Sequence, residues 1–513
     1  MNVKAIWTIA TCFALLGLAQ AQTPVLQWRF MGSPVSENLA DPLTHNGVVY
    51  FPSVNKLFAV SLADGTLKWQ YPSDGTLDGA IRTRPVAHKD LLLFATGSGN
   101  LYAVAADTGR LRWTFAAKAA ITASPVVDGD AIYFGTGDGQ VFSLGAETGE
   151  PLWPKPLRIG VYIAGSIIMY DGNLLFTSDD GRIYCVTAAG QPRWSARLAT
   201  PAIDAQPVIG GESIFAVGGN RLYCVSALSG RVMWQKPFAN DLQFAPAATE
   251  EAVYVASEDR KIYAFDHTGQ ALWDSKSAPE MQFAPGGRPA VAHGYLWGIS
   301  KRGGLYAFDP KDGALKWSYT MRPVPGAAAD SSGRVSDYVN VNRPIASVDK
   351  GALVVSDDGT LSYFSVAWVD KIAPDVYDFI PYMGEIMSGQ PPHEVFVRVR
   401  DDSSGINPTS VQIFLNEEML PVTYDSSRGL AIVEIKAEGT VRPWPDGRQT
   451  LRIVAADWSG NTVDKSWGIY IDNSLRKTRR APAKEVGGIA AGGAGQGPRA
   501  GAGSGGGGAG SGR

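Results

Sequence analysis

Three arginines stand directly before a proline in segments that recur along the chain. Arg84 lies in RTRP, Arg288 in GGRP and Arg343 in VNRP, and a short apolar stretch typical of a β-strand follows each segment. The arginine side chain keeps its charge at any physiological pH and offers a planar fork of five N–H donors, which suits carboxylates and phosphates. Arg82 adds a fourth charge beside Arg84. If the fold brings these side chains together, they predict a binding site for an anionic ligand or partner.

The sequence leaves a second interpretation of these arginines open. They can pair locally with Asp41, with Asp204 or with backbone carbonyls. Equivalent segments elsewhere in the chain contribute further contacts to the predicted site, and a long loop, residues 321–342, is expected to overhang it. The residues predicted from those segments are Tyr162, Gln243, Phe244, Gln282 and Phe283.

Other reactive residue types do not combine into a catalytic or metal site. His45, His88 and His293 occupy equivalent turns, LTHNG, VAHKD and VAHGY. A zinc ion needs all of its ligand nitrogens about 2 Å away. The three turns belong to separate repeats, so we expect their histidines to lie too far apart to bind one ion. No nucleophile or phosphate-loop motif occurs before the C-terminal tail, and the aspartate pairs of the DDGR and DDGT segments are explained by turn formation. The sequence therefore predicts no catalytic residue and no metal ligand.

A repeat positions the arginine segments. Residues 101–113, LYAVAADTGRLRW, return in varied form six more times, each copy being a short strand, a glycine turn and a second strand that carries tryptophan. Successive tryptophans stand 39 to 44 residues apart, and a period near 40 with several short strands per unit is typical of a β-propeller. The tryptophans are predicted to cover the gaps between blades, with each N–H finding a backbone acceptor. They are Trp28, Trp69, Trp113, Trp153, Trp194, Trp234, Trp273 and Trp317.

The two ends of the repeat region predict how the ring closes. Residues 343–367 contain three predicted strands without a tryptophan strand, whereas VLQWRF, residues 25–30, is a tryptophan strand without a blade. We therefore expect an eight-bladed propeller over residues 22–367 whose last blade is completed by the N-terminal strand, because closure removes free sheet edges. Closure also makes the blades that carry Arg84, Arg288 and Arg343 near neighbours.

The segments outside the repeat have different patterns. Residues 1–21 are predicted to be a signal peptide, with Lys4, an apolar stretch and a small-x-small cleavage site. Residues 373–473 alternate like the strands of a β-sandwich. Residues 474–513 are basic and rich in glycine, and are predicted to be disordered. The expected fold class is all-β.

Charge and cysteine content narrow the possible partners. A net charge of -3 gives no reason to expect a nucleic-acid partner. After signal cleavage Cys185 and Cys224 remain, in strand positions that other repeats fill with alanine or serine, so they are predicted to be small core residues without a disulfide. The mature chain is expected to be monomeric and to have no transmembrane segment.

The repeat resembles the PQQ-like propeller repeat, whose blades carry A-x-D-x-x-T-G-x-x-x-W. The copy nearest to it holds Ala307, Asp309, Asp312, Gly313 and Trp317. The family includes quinoprotein dehydrogenases, which bind pyrroloquinoline quinone and usually calcium, and non-catalytic BamB-type proteins. The short blades, and the absence from the sequence of an adjacent cysteine pair and a C-x-x-C-H haem motif, resemble the non-catalytic branch, so neither quinone nor calcium is favoured.

Two further comparisons bear on function. Residues 447–457, GRQTLRIVAAD, are similar to a strand of bacterial immunoglobulin-like domains. The chain departs from BamB-type proteins because it lacks a lipid-attachment cysteine and carries the sandwich and the tail. The resemblance implies an exported, non-catalytic binding or scaffold protein of the cell envelope, periplasmic or extracellular. The alternatives are a quinone-dependent oxidoreductase and a cell-surface carbohydrate-binding or adhesion protein.

Overall fold

The computed structural model of the 513-residue chain describes residues 23–33, 40–198, 206–324, 338–341, 343, 345–436 and 442–475. These ranges contain β-strands and two short 3-10 turns, Lys301–Gly303 and Pro408–Ser410. The strands build a β-propeller followed by a β-sandwich, so the predicted all-β fold class is confirmed. The predicted signal peptide and the tail beyond residue 475 lie outside the described residues. No helix in the described ranges is long and apolar enough to cross a membrane.

The first four blades follow the N-terminal strand β1 (Val25–Met31) in chain order. Blades three and four are joined by one parallel bridge between Ser124 and Ser166. Blade one contains β2 (Leu43–His45), β3 (Val48–Ser53), β4 (Lys56–Ser61) and β5 (Leu67–Tyr71), and blade two contains β6 (Val86–His88), β7 (Leu91–Ala95), β8 (Asn100–Ala105) and β9 (Leu111–Ala116). Blade three contains β10 (Ile121–Asp128), β11 (Ala131–Thr136), β12 (Gln140–Gly145) and β13 (Leu157–Arg158), and blade four contains β14 (Ile163–Tyr170), β15 (Asn173–Ser178), β16 (Arg182–Thr187) and β17 (Pro192–Arg197).

The other four blades repeat this order, and the last is completed by β1. Blade five contains β18 (Val208–Gly210), β19 (Ser213–Gly218), β20 (Arg221–Ser226) and β21 (Val232–Pro237), and blade six contains β22 (Ala247–Ala248), β23 (Ala252–Ala256) and β24 (Ile262–Asp266). Blade seven contains β25 (Ala290–Ala292), β26 (Tyr295–Ser300), β27 (Gly304–Phe308) and β28 (Leu315–Thr320), and blade eight contains β29 (Ala346–Val348), β30 (Gly351–Val355) and β31 (Thr360–Ser365).

Hydrophobic clusters between neighbouring blades hold the ring together. Within the described residues there is one such cluster for each of the eight blade pairs. The cluster that closes the ring joins Val49 and Phe51 of blade one to Leu353 and Leu361 of blade eight, all at most 1% exposed. Because full burial of such a side chain contributes about 1.5–3 kcal/mol, each cluster stabilises its blade pair substantially.

The N-terminal strand closes the ring as predicted. β1 pairs antiparallel with β31, with Trp28 opposite Tyr363 and Phe30 opposite Leu361. The indole Nε1 of Trp28 also donates to the carbonyl oxygen of Leu62 in blade one, at 3.0 Å. The first and last parts of the repeat region are thus joined by a backbone ladder and by a contact between blades.

Several repeat tryptophans bridge blades through their indole nitrogens. Trp69 donates to Ala106 O at 3.1 Å, and Trp153 to Ala188 O at 3.2 Å. Trp234 likewise donates to the carbonyl of His267, at 2.8 Å. In each pair the acceptor belongs to the next blade, so these tryptophans bridge neighbouring blades. Trp28 and Trp317 also donate to backbone carbonyls, whereas the buried Nε1 atoms of three repeat tryptophans have no acceptor among the described residues: Trp113, Trp194 and Trp273.

In blades one to six the glycine of the repeat turn lies against the tryptophan of the preceding blade, whereas Gly313 of blade seven lies against Pro279. Gly109 has a φ of 70°, and a Cβ atom there would lie 2.6 Å from the Trp69 ring. We therefore expect Gly109→Ala to destabilise the fold by about 2–4 kcal/mol, because the backbone conformation is strained for alanine and the ring must move. Gly129→Ala is the matched control, since its φ is 56° but no atom lies within 4 Å of a Cβ. Urea unfolding should show a clearly larger loss for Gly109→Ala, and equal losses would mean that the tryptophan contact is unimportant.

Two blades depart from the predicted tryptophan strand. Trp153 and Trp273 both lie outside the strands. Proline cannot donate to a ladder, and prolines at positions 151, 154 and 156 restrict the outer strand of blade three to β13. In blade six Asp274 accepts from the backbone N–H of Lys276 and forms a turn where the ladder would continue.

The two cysteines are free and buried, as predicted. Cys185 lies on β16 of blade four and Cys224 on β20 of blade five. Desolvation raises the pKa of both thiols, so they behave as small apolar side chains.

The sandwich consists of two packed sheets with one hydrophobic core. Trp467 and Ile413 lie in this core, each at most 2% exposed. The bacterial immunoglobulin-like assignment stays a prediction, as do the domain boundaries. The first sheet contains β32 (Asp375–Ile380), β34 (His393–Arg400), β37 (Thr423–Asp425) and β38 (Leu430–Ile435), and the second contains β33 (Ile386–Met387), β35 (Gln412–Leu415), β36 (Glu418–Leu420), β39 (Gly447–Ala456) and β40 (Thr462–Ile471).

The sandwich docks on the outer strand of blade seven. Trp317 Nε1 donates to Ser404 O at 2.7 Å, and Trp458 Nε1 of the sandwich donates to Ser318 O at 3.0 Å. The backbone N–H of Leu26 in β1 donates to Ser403 O, at 3.0 Å. In several other blades the repeat tryptophan donates to a carbonyl of the next blade. Trp317 instead donates to a carbonyl in a turn of the sandwich.

Candidate functional site

A cavity of about 860 Å³ opens where the first strands of several blades begin. We call it the arginine cavity, because four arginines and one carboxylate are the charged groups among its described lining residues. Most other lining residues are small or apolar. The charged and amide side chains of the lining are Asp41, Arg82, Arg84, Gln206, Gln243, Arg288 and Arg343.

The cavity arginines are positioned by the ends of the innermost strands. Arg84 is followed by Pro85 and β6, and Arg288 by Pro289 and β25. A proline disfavours helical conformation in the residue before it, and both arginines lie in irregular backbone directly before their strands. Arg343 stands at the equivalent position before β29. The structure therefore brings together the three arginines that the sequence placed at equivalent positions.

One carboxylate, Asp41, interacts with Arg84, Arg288 and Arg343. Asp41 Oδ2 lies 3.6 Å from Arg288 Nη2, and Arg288 Nη1 also donates to Gln206 Oε1 at 3.4 Å. Desolvation by the cavity walls lowers the pKa of Arg84, and repulsion from Arg288 lowers it further against the attraction of Asp41. Desolvation likewise lowers the pKa of Arg343, and the attraction of Asp41 opposes this shift. Asp41 cancels part of the positive charge, and the described lining keeps a net excess of it.

Of the other predicted site residues, some line the arginine cavity and others lie elsewhere. Gln243 and Phe244 line the arginine cavity. Tyr162 is 43% exposed and packs beside Gly137 rather than in the cavity lining. Gln282 does not reach the cavity, because its Nε2 donates to Asp425 Oδ1 of the sandwich at 2.9 Å and its Oε1 accepts from a second sandwich residue.

Two further site residues contribute to the cavity without having been predicted. Gln206 accepts from Arg288, and the hydroxyl of Ser124 accepts from the backbone N–H of Arg84 at 3.0 Å. Both stand directly before a proline, in DAQP and TASP. The same position relative to proline that revealed the arginines would have revealed these two. Asp204, an alternative partner in the sequence, lies outside the described residues.

The polar groups of the arginine cavity do not form a calcium–quinone donor set. Calcium takes six to eight oxygen ligands and is bound largely by carboxylates. Asp41 is the one carboxylate among the described lining residues, and it already lies at ion-pair distance from Arg288. The residues therefore fit a ligand that brings negative charge better than they fit a metal ion. The expectation that the protein has no cofactor stays a prediction.

The three equivalent histidines are used separately. His293 Nε2 lies 2.7 Å from Val348 O and 3.0 Å from Gly351 O, in blade eight. His88 Nε2 lies 3.6 Å from Asp130 Oδ1, and His45 contacts its neighbour Asn46. Among the described residues these three side chains share no hydrogen-bond or ion-pair partner.

Comparisons with known proteins agree with this geometry. The chain covers 99% of a crystal structure of BamB from Moraxella catarrhalis, over 67% of its own length, with 17% identity and a TM-score of 0.53. The computationally designed protein Ika8 is similar over the same shares, with 14% identity and a TM-score of 0.54. At these identities the likeness shows the fold alone, and no curated protein matches the sequence. The family model described as outer membrane protein assembly factor BamB matches residues 57–219 and 179–365, more than half of the chain, and the chain therefore belongs to the BamB family.

Proposed function

We propose that this protein is an exported, non-catalytic binding or scaffold protein of the cell envelope, and that its arginine cavity binds an acidic segment of a protein partner. The observation that carries the proposal is the convergence of four arginines on one cavity with a single carboxylate among its described lining residues. Membership of the BamB family supports a binding role in the envelope. The family's description concerns outer membrane protein assembly, and we extend to this chain only the envelope setting and the protein partner.

The electrostatics of the arginine cavity favour an incoming anion. Arg84 and Arg343 are both desolvated, and Arg84 is repelled by Arg288, so the described residues do not fully compensate their charges. A concave surface of one sign steers oppositely charged partners, and the attraction weakens as salt is added because the Debye length falls to about 8 Å at physiological ionic strength. Paired N–H donors of arginine then bind carboxylates in a fixed geometry.

The geometry also suits an elongated ligand better than a lone ion. Gln206, Gln243 and Phe244 line the same cavity as the arginines and offer amide and aromatic contacts. An extended peptide can place a carboxylate at the arginines and its backbone or an apolar side chain against this second group. A cavity of about 860 Å³ is large enough for several residues of such a chain.

A triple Arg→Gln variant at positions 84, 288 and 343 tests the proposal. Binding of a fluorescent polyglutamate peptide, measured by anisotropy at low salt, should weaken about 10-fold or more, because each lost charge-assisted contact contributes on the order of 1.5–3 kcal/mol. The matched control replaces three exposed arginines outside the cavity lining with glutamine, Arg110, Arg112 and Arg231, and so changes the net charge equally. A polyglutamine peptide should bind neither protein.

The outcomes distinguish the competing functions. Equal loss in the two triple variants would mean that net charge, and not the cavity, attracts the peptide. Pyrroloquinoline quinone is itself a polycarboxylate, so it is included with calcium, an alcohol or an aldose sugar, and a redox dye. Stoichiometric quinone uptake with dye reduction would overturn the non-catalytic part of the proposal.

A further inference from the structure

Three aspartates converge where the propeller meets the sandwich, and none of them lines the arginine cavity. We call them the aspartate triad. Asp370 lies in the linker between β31 and β32, Asp401 in the turn after β34, and Asp457 in the turn between β39 and β40. One carboxylate oxygen from each residue lies within 4.8 Å of the other two. Three separate segments of the chain thus direct negative charge to one point.

Two members of the aspartate triad are buried, Asp401 is half-buried, and the triad has no compensating cation in the described part of the chain. Asp370 is 5% exposed and Asp457 is 2% exposed. None of the three forms an ion pair with a described lysine, arginine or histidine, and their hydrogen bonds come from neutral groups. Those donors are mostly backbone N–H groups, of Ile372, Ser403, Ser404, Gly405 and Asn461, together with the Asn461 side chain.

The electrostatic consequence is visible at two of the carboxylates. Desolvation, with repulsion from Asp370 and Asp457, raises the pKa of Asp401 to about 6. Desolvation raises the pKa of Asp457 as well, and Asp370 adds to it. Burying like charges together is unfavourable unless an opposite charge joins them.

Ser404 provides an observation that is independent of the three carboxylates. Its side chain is fully buried, and its hydroxyl oxygen has no hydrogen-bond partner among the described residues. The backbone N–H of the same residue donates to Asp370 Oδ2 at 3.2 Å, so the hydroxyl belongs to a residue in direct contact with the aspartate triad. A buried hydroxyl usually has a partner, and one left without a protein partner next to a charged cluster indicates a ligand.

We propose that the aspartate triad and the Ser404 hydroxyl bind a calcium ion. All of these donors are oxygen atoms, which hard divalent cations prefer to the nitrogen and sulfur that zinc prefers. Calcium lies about 2.3–2.6 Å from each oxygen, so oxygens on opposite sides of the ion stand on the order of 5 Å apart. Pair distances of up to 4.8 Å between the carboxylate oxygens fit around such an ion. Water molecules complete its coordination.

The position of this site gives the ion a structural role at the junction. The turn that carries Asp401 also carries Ser403 and Ser404, whose carbonyls accept from Leu26 and Trp317 of the propeller. The turn that carries Asp457 also carries Trp458, which donates to Ser318 of blade seven. An ion bound by Asp370, Asp401 and Asp457 would connect the linker to both turns. Calcium would therefore stabilise the contact between the sandwich and the propeller.

Terbium, a luminescent substitute for calcium, tests the site directly. Excitation of tryptophan should sensitise terbium emission, because Trp458 follows Asp457 in the sequence, and calcium should displace terbium more effectively than magnesium does. Asp401→Asn should weaken terbium and calcium binding by about 10-fold or more. Asp464→Asn is the matched control on the same sandwich, since Asp464 is exposed and paired with Arg452.

The melting temperature separates a metal site from a set of structural hydrogen bonds. Calcium should raise the melting temperature of the parent chain and of Asp464→Asn, and leave that of Asp401→Asn nearly unchanged. In the presence of a chelator Asp401→Asn should melt higher than the parent, because one buried charge is gone. No terbium emission, or a melting temperature that calcium does not change, would overturn the proposal. Equal effects of magnesium and calcium would overturn the assignment to calcium.

Discussion

Trp317→Ala is expected to destabilise the protein by about 3–5 kcal/mol, the range for removing a large, fully buried aromatic side chain. Trp317 is 0% exposed and packs against Trp297, Tyr319 and Phe364. Its Nε1 donates to Ser404 O across the junction with the sandwich, at 2.7 Å. The substitution therefore leaves a cavity between blades seven and eight, and it leaves Ser404 O without its indole donor. Urea unfolding followed by circular dichroism measures the loss.

Trp113→Ala is the matched control for this prediction. Trp113 has the same position in the repeat, but it is only partly buried and its Nε1 has no acceptor among the described residues. We expect a loss of about half that of Trp317→Ala, since less apolar area is removed from water. Equal losses would mean that the junction with the sandwich adds no stability to blade seven, and that the propeller is independent of it.

The architecture of the propeller could be predicted because its information is local and repeated. The strand pattern and the glycine turn recur from blade to blade, and the fixed spacing of the tryptophans indicates the number of blades. Closure of the ring could also be predicted, since the strand that carries Trp28 lies outside any repeat and the last repeat contains no tryptophan strand. The pairing of Trp28 with Tyr363 confirms that argument residue by residue.

Local exceptions to the repeat were harder to predict. Trp153 and Trp273 match the pattern in the sequence, yet prolines around the first and an Asp274 turn after the second interrupt the outer strand. Proline and aspartate signals were present, but the repeat pattern outweighed them in the prediction. Propensity of a short segment thus overrode the consensus of the array.

The arginine cavity illustrates what equivalent positions can and cannot reveal. Arg84, Arg288 and Arg343 share a position before proline, and ring closure makes that position converge. Gln282 also has an equivalent position, but its amide bonds to Asp425, 143 residues away. That contact depends on how the sandwich docks, which no local pattern in the propeller encodes.

The aspartate triad could not be predicted for a related reason. Asp401 and Asp457 lie in DDSSG and DWSGN, which the sequence identifies only as turns, and Asp370 lies in a linker. Their convergence depends on sandwich topology and on the path of the linker. Short turn motifs specify backbone geometry, whereas the meeting of three side chains is a property of the assembled fold.

Removing the N-terminal strand is expected to have the largest effect on stability. A chain that begins at residue 32 lacks β1, which otherwise pairs with β31 from Val25 to Met31. It also loses the donation from Trp28 to Leu62 O, and those from Arg29 to Arg322 O at 3.2 Å and to the Tyr319 hydroxyl at 3.3 Å. The reference is a chain that begins at residue 22, since residues 1–21 are predicted to be cleaved.

The expected loss is on the order of 5 kcal/mol, because Val25 is buried, Trp28 and Phe30 are partly buried, and full burial of such a side chain contributes about 1.5–3 kcal/mol. The bare edge of β31 should also promote aggregation, since its backbone donors and acceptors become available to other chains. A synthetic peptide of residues 23–33 added in trans should restore much of the melting temperature in a saturable manner, because it can re-form the ladder. The same peptide with Trp28 and Phe30 replaced by alanine should restore little. If the shortened chain melts like the reference, or if both peptides rescue it equally, the ring does not depend on closure by its N-terminal strand.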